Sequence, residues 1–199
     1  MAEALATLTG SGCATITPVP PHFTGNFPDA LALYQVLIME DFPLRDGNDK
    51  HVTVNIAKEG MQMDIVSACL CGINCKYNGK NNLNKDLKER VMRGELLPVC
   101  PEVLGGLSIP RMPCEIRNGR VYAKDGRDVT EKFTDGARKT LAIAKAAGAK
   151  KAILKQRSPS CGCGKIYDGS FTGKIIEGDG ITATLLKQNG IEILTEEDL

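Results

Sequence analysis

Apolar and polar residues follow a regular pattern only from about Met63 onward. Four short apolar runs are typical of buried parallel strands; they lie at 64–69, 96–99, 152–154 and 191–194. Between the runs, apolar residues recur at helical spacing, as in Leu83, Leu87 and Val91. Strands separated by single helices indicate right-handed βαβ crossovers. The pattern therefore predicts an α/β fold, a three-layer sandwich around a small, mainly parallel four-stranded sheet.

Two segments interrupt this pattern with turn signals. Asn118-Gly119 predicts a hairpin, because both positions of a type I′ turn need positive φ. A second hairpin is predicted within 165–176. Two acidic residues that precede helical patterns, Asp128 and Asp179, are expected to cap those helices. The sandwich should therefore carry two β-hairpin excursions and well-defined helix starts.

The first 62 residues lack this regularity. Residues 15–28 are rich in Pro, Thr and Gly and show neither a helical nor a strand period. We therefore expect 1–62 to be an irregular extension that does not fold alone, and 63–199 to be the α/β domain. Residues 58–60 can be encoded by a ribosome-binding-like stretch, so we hypothesise that translation begins at Met63. The intact mass of the native protein tests this.

Composition argues against several classes of protein. A net charge of +1 gives no reason to expect a nucleic-acid or membrane surface. No apolar run approaches the roughly 20 residues that span a bilayer, and no signal or transit peptide is recognisable. We expect a cytoplasmic protein with reduced thiols, without a membrane or a stable nucleic-acid partner. Since His22 and His51 both lie in the extension, the domain has no Ser-His or Cys-His nucleophile.

Three of the eight cysteines are associated with the ends of predicted strands. Cys69 ends the first strand, Cys100 follows the second, and Cys161 lies in the loop after the third. Because the carboxyl ends of parallel strands share one edge of the sheet, these cysteines should converge. Soft thiolates select zinc, Cu(I) or iron–sulfur clusters. Three ligands leave one metal position open for a substrate atom, although any one cysteine alone would more often be a buried filler.

Several neighbours are candidates for supporting roles. Glu102 is placed for proton transfer beside a metal, or is simply a carboxylate at a helix start. Ser158 and Ser160 can orient or activate a substrate, or make turn hydrogen bonds. Cys71 and Cys163 lie near the same edge and are either bystanders or a fourth ligand. Other cysteines of the domain, such as Cys75 and Cys114, have weaker claims.

Short blocks of sequence occur in a fixed order along the domain. They include VSACLCG at 66–72, KYNG at 76–79, CPEVLGGL at 100–107, KQRSPSCG at 155–162 and IYDGSF at 166–171. These blocks resemble the family long filed as domain of unknown function 523, whose members include thiouracil desulfurases. The resemblance covers 63–199. It implies a non-redox removal of sulfur, released as sulfide, from a small thiolated base such as 2-thiouracil.

The resemblance also implies roles for individual residues. In that family three cysteines hold a 4Fe-4S cluster, and the free iron takes the sulfur of the base. Carried over to this sequence, Cys69, Cys100 and Cys161 are the ligands. Glu102 moves protons to activate the attacking water, and Ser158 supports the substrate or an intermediate.

Some positions leave the interpretation open. Ser67 and Ser160 are secondary candidates within the resembling blocks. A fourth ligand supplied by Cys71 or Cys163 would close the open iron. Two other functions also remain: a zinc- or thiol-based structural or redox-sensing protein, and a small-molecule binding module without catalysis.

Overall fold

The structure, a computed structural model, describes residues 62–199. In chain order its elements are β1 (Asp64–Ser67), a 3-10 helix (Ala68–Cys71), α1 (Lys85–Met92), β2 (Leu96–Val99), α2 (Pro101–Leu104), β3 (Cys114–Arg117), β4 (Arg120–Ala123), α3 (Thr130–Ala146), β5 (Lys151–Leu154), β6 (Lys165–Tyr167), β7 (Ile175–Glu177), α4 (Ile181–Gln188) and β8 (Glu192–Thr195). The predictions for the N-terminal extension lie outside the described residues. No helix within 62–199 has the length and apolarity to cross a bilayer.

The central sheet has four parallel strands in the order β2-β1-β5-β8. Successive residues of β1 point to opposite faces. Ile65 belongs to an apolar cluster with Ala144 of α3 and Leu186 of α4. Val66 belongs to a separate cluster with Leu87 of α1. Helices therefore cover both faces, and the predicted three-layer α/β sandwich is confirmed.

The two predicted hairpins are both present. β3 pairs antiparallel with β4, and the turn residues Asn118 and Gly119 have φ of 52° and 75°. β6 pairs antiparallel with β7 across a longer loop at 168–174. Glu115 of β3 accepts a hydrogen bond from the Phe171 amide at 2.9 Å, which ties the first hairpin to the loop of the second. The hairpins thus lie against each other.

Both predicted helix caps are wrong. The Asp128 carboxylate accepts from the amide of Thr130, the first residue of α3, at 2.9 Å, so it makes a local turn before the helix. Gly180 stands at the N-cap of α4 and makes no side-chain hydrogen bond. Asp179 instead accepts from the Gly164 amide at 2.7 Å. Asp128 bonds an amide only two residues on and misses the cap because the regular helix begins one residue later, with Val129 at the N-cap. Asp179 bonds an amide 15 residues away, because tertiary position decides which N–H it can reach.

Two glycines let α2 rest directly on α3. A Cβ added at Gly136 of α3 would lie 2.0 Å from the Pro101 carbonyl oxygen, and one at Gly105 would lie 2.0 Å from the Lys132 carbonyl oxygen. Only glycine permits this close contact between backbones. The contact fixes the position of α2, and therefore of Cys100 immediately before it.

Candidate metal centre

Three cysteines lie at the carboxyl edge of the central sheet. Cys69 is in the 3-10 helix that continues β1, Cys100 directly precedes α2 after β2, and Cys161 is in the loop after β5. These are three adjacent strands of the sheet. Cys161 is within electrostatic range of both other cysteines; burial, together with their charges, raises the pKa of its thiol. The edge thus brings these three residues into one neighbourhood.

A fourth cysteine stands between two of them. Cys75 packs in one buried cluster with Cys100 and Ala68, and Cys69 packs against that cluster; Cys75 is only 4% exposed. Cys100 Sγ also lies 3.8 Å from the Cys75 carbonyl oxygen, to which it can donate. Hydrogen bonding among these three thiols raises the pKa of Cys75 and lowers those of Cys69 and Cys100. Since Cys75 carries one S–H, it donates to one neighbour at a time. We call Cys69, Cys75, Cys100 and Cys161 the rim thiols.

The other three described cysteines have different surroundings and are called the outlying thiols. Cys71 is buried in the apolar cluster beneath α1, with its Sγ 4.0 Å from the Ser67 carbonyl oxygen. Burial raises its pKa to about 12. Cys163 lies beside Lys187 of α4. At the start of β3, burial raises the pKa of Cys114 to about 11. Cys75, which had only a weak claim from the sequence, therefore packs with two of the predicted ligands, while a fourth ligand at Cys71 or Cys163 stays a prediction.

Glu102 lies in α2 and forms a mostly buried ion pair with Arg111. Arg111 Nε donates to Glu102 Oε2 at 2.7 Å, with side-chain exposures of 6% and 16% respectively. Arg111 Nη2 also donates to the Cys75 carbonyl oxygen at 2.9 Å. The guanidinium therefore fixes the direction of the carboxylate and ties it to the loop that carries Cys75. Sequence reasoning gave Arg111 no role; no charge spacing predicts a partner across this loop.

The three serine candidates have different surroundings. Ser158 Oγ accepts from the amides of Ser160 and Cys161, each at 3.1 Å, and so shapes the loop. Ser67 hydrogen-bonds with the Cys161 thiol. Ser160 is fully buried, and its hydroxyl pairs with Thr182 Oγ1 at 2.8 Å. Ser160 therefore joins the loop to α4, whereas Ser158 and Ser67 stand next to the candidate ligand.

Two amide side chains that sequence reasoning missed also hold the centre in place. The buried Gln156 closes the Cys161 loop: its Nε2 donates to the Cys163 carbonyl oxygen at 2.9 Å, and its Oε1 accepts from the Cys163 amide at 3.0 Å. Asn82 Nδ2 lies 3.6 Å from Cys69 Sγ and its Oδ1 accepts from Lys76 Nζ at 2.8 Å. Such outer partners orient metal ligands, and only the presence of Gln156 within a resembling block hinted at them.

Among residues 62–199, no group of three or more His, Cys, Asp or Glu side chains is already arranged to hold a metal ion.

Comparison with known proteins gives consistent matches over the described domain. The model of the 2-thiouracil desulfurase family matches residues 65–198. The uncharacterized protein YbbK of Bacillus subtilis strain 168 is 45% identical over an alignment of 147 residues, and the match covers 69% of this chain and 97% of YbbK. A solved structure of the 4Fe-4S-dependent thiouracil desulfidase TudS is 41% identical, with a TM-score of 0.67. That match covers 69% of this chain and 93% of TudS.

Proposed function

Because this chain belongs to the 2-thiouracil desulfurase family, we propose that it removes sulfur from a thiolated nucleobase such as 2-thiouracil, with the help of a 4Fe-4S cluster. The observation that carries the proposal is the position of Cys69, Cys100 and Cys161 at the ends of three adjacent parallel strands. The reaction replaces a C=S group by C=O, consumes water and releases sulfide, without net oxidation or reduction.

The donor set fits such a cluster. Thiolates are the usual ligands of iron–sulfur clusters, and three of them leave one iron without a protein ligand. Cys69, Cys100 and Cys161 would hold the cluster. When bound, it supplies a thiophilic Lewis acid that polarises the carbon–sulfur bond and stabilises the departing sulfur. The predicted alternative of a fourth ligand at Cys71 or Cys163 remains, and Cys75, which packs with two of the three, is a further candidate for that role.

The residues around the thiols can supply the proton transfers. Arg111 fixes the direction of the Glu102 carboxylate at 2.7 Å, and we assign Glu102 the removal of a proton from the water that attacks the thiolated carbon. Ser158 Oγ already accepts two backbone amides. Its hydroxyl proton is therefore the part left to donate, and we assign it a hydrogen bond to the substrate.

Anaerobic reconstitution with iron and sulfide tests the proposal. Cys69→Ser, Cys100→Ser and Cys161→Ser should each lose bound iron and the release of sulfide from 2-thiouracil. Cys114→Ser and Cys163→Ser are matched controls, because their thiols lie outside the rim, and both should retain iron and activity.

Two results would count against the proposal. Full iron content in Cys100→Ser would remove Cys100 from the ligand set. Stoichiometric zinc in place of a cluster would favour the zinc or thiol protein considered from the sequence.

A further inference from the structure

The Cys75 thiol has no part in the proposed reaction, yet it is packed among the other rim thiols. Cys75 and Cys100 pack in one small cluster with Ala68, and Cys69 packs against that cluster. The Cys75 carbonyl oxygen is held by Arg111 Nη2 at 2.9 Å. A thiol that packs with two other thiols is placed to form a disulfide, which a single cysteine cannot do.

The backbone brings Cys69 and Cys75 together through a tight loop. The Ile73 amide donates to the Ala68 carbonyl oxygen at 3.2 Å, and the Cys75 amide donates to the Ile73 carbonyl oxygen at 2.8 Å. The chain therefore folds back on itself directly after the 3-10 helix. Because the two side chains pack together in that cluster, we expect a bond between them to need only a small movement of this loop.

Solvent reaches the rim thiols unequally. Cys69 is partly exposed, whereas Cys75 and Cys100 are 4% and 9% exposed. A small oxidant that arrives from solvent therefore meets Cys69 first. The more buried Cys75 is the thiol placed to react next.

We propose that Cys69 and Cys75 form a redox pair in the cluster-free protein. An oxidant first forms a mixed disulfide with Cys69, and Cys75 then displaces it to give a Cys69–Cys75 disulfide. The oxidant class is a low-molecular-weight disulfide such as oxidised glutathione. The inference rests on the proposed function in one respect: Cys69 is a cluster ligand there, so its disulfide blocks cluster loading until a thiol reductant reopens it.

The exchange balances in two steps. The Cys69 thiolate attacks one sulfur of the disulfide, so that a mixed disulfide forms and one glutathione leaves as a thiolate. Cys75 then gives up its proton and attacks the Cys69 sulfur, and the second glutathione leaves. The two protein thiols lose two electrons and two protons in total, and the glutathione disulfide gains them. The internal bond also keeps Cys69 from irreversible over-oxidation.

Intact-mass spectrometry of the full, reduced, cluster-free chain treated with oxidised glutathione tests the pair. We expect the wild type to lose two hydrogen atoms and to retain no glutathione at Cys69. Cys75→Ser and Cys75→Ala should each retain one glutathione on Cys69, because the resolving thiol is missing. Cys163→Ser is the matched control and should behave as the wild type.

A second variant assigns the bond to its two cysteines. Cys69, Cys71 and Cys75 all lie in the tryptic peptide 59–76. In Cys71→Ala that peptide keeps only Cys69 and Cys75, so a loss of two hydrogens within it identifies their disulfide. A stable glutathione adduct on Cys69 of the wild type, or a bond from Cys75 to Cys100, would overturn the proposal.

The outcomes separate this proposal from the proposed function. The mass measurement needs no cluster and no substrate, so an inactive enzyme leaves it unaffected. After anaerobic reconstitution, Cys75→Ser should bind as much iron as the wild type. Reduced iron content in a folded Cys75→Ser would make Cys75 a ligand and overturn its assignment as a resolving thiol.

Discussion

The rim thiols and the outlying thiols are the same chemical group in two different settings. The rim thiols meet where three parallel strands end, and their members share hydrogen bonds and charges. Cys71 is only two residues from Cys69, yet it is buried among aliphatic side chains on one face of the sheet. Proximity in sequence therefore says little about which thiols act together, whereas position relative to a strand end says much.

The difference has a physical origin. In the 3-10 helix that follows β1, Cys69 is partly exposed at the edge, whereas Cys71 is buried in the apolar cluster. Burial without a hydrogen-bond donor penalises the thiolate, so the pKa of Cys71 rises to about 12. At the rim, the Cys75 thiol and the Asn82 amide favour the thiolate of Cys69. This difference between the two groups of thiols can be tested by substitution and by thiol labelling.

The largest expected effect concerns the carboxylate beside the rim thiols. Glu102→Gln keeps the size of the side chain and an oxygen for Arg111 but removes the proton acceptor. We expect sulfide release from 2-thiouracil to fall by about 10²–10⁴-fold with the iron content unchanged. Glu89→Gln on the exposed surface of α1 is the control and should leave both unaltered. Unchanged sulfide release in Glu102→Gln would remove Glu102 from the reaction.

The next effect should come from the contact that holds Cys100 in the rim. Gly136→Ala places a Cβ 2.0 Å from the Pro101 carbonyl oxygen, so α2 must move away from α3. We expect a loss of about 3 kcal/mol in the free energy of unfolding by urea, together with reduced iron binding. Gly94→Ala has no neighbour within 4 Å and meets only the strain of a positive φ, so it should cost about 1 kcal/mol. Equal losses in the two variants would contradict a specific role for the contact.

The smallest expected effect concerns the low reactivity of Cys114, one of the outlying thiols. Burial raises the pKa of Cys114 to about 11, and only the thiolate reacts with iodoacetamide. At pH 8 the labelling of Cys114 in the reduced chain should be about 100-fold slower than that of a cysteine in a short peptide. The rate should rise about tenfold per pH unit up to about pH 11. A plateau below about pH 9 would show that Cys114 ionises as readily as an ordinary thiol.

The sheet was predictable because burial on both faces requires continuous apolar runs, as in β1 and β5. The turn at Asn118 and Gly119 was predictable because few residues accept positive φ at two consecutive positions. The caps failed because the reach of Asp179 depends on where the loop at Gly164 lies in space. A local sequence window contains no information on that separation.

The same limit applies to the metal centre. The positions of Cys69, Cys100 and Cys161 follow from strand topology, so parallel strand ends were enough to suggest their convergence. Cys75 lies in an irregular loop, where no period fixes the direction of a side chain. The reach of Arg111 to both Glu102 and the Cys75 carbonyl oxygen likewise depends on how a long connection folds back. Topology predicts contacts between strand ends and leaves contacts between loops undetermined.

The arrangement of the rim on three strands also sets an order of events during synthesis. Cys69 and Cys100 leave the ribosome well before Cys161, which follows β5. In the folded domain β5 pairs with β1, and this pairing places its loop at the same edge as the other two cysteines. Under the proposed function, a nascent chain that lacks β5 would have no complete ligand set, and the cluster would be loaded only after the sheet had formed. The bound cofactor would then stabilise the folded state alone, so loading would report that the central sheet has been assembled correctly.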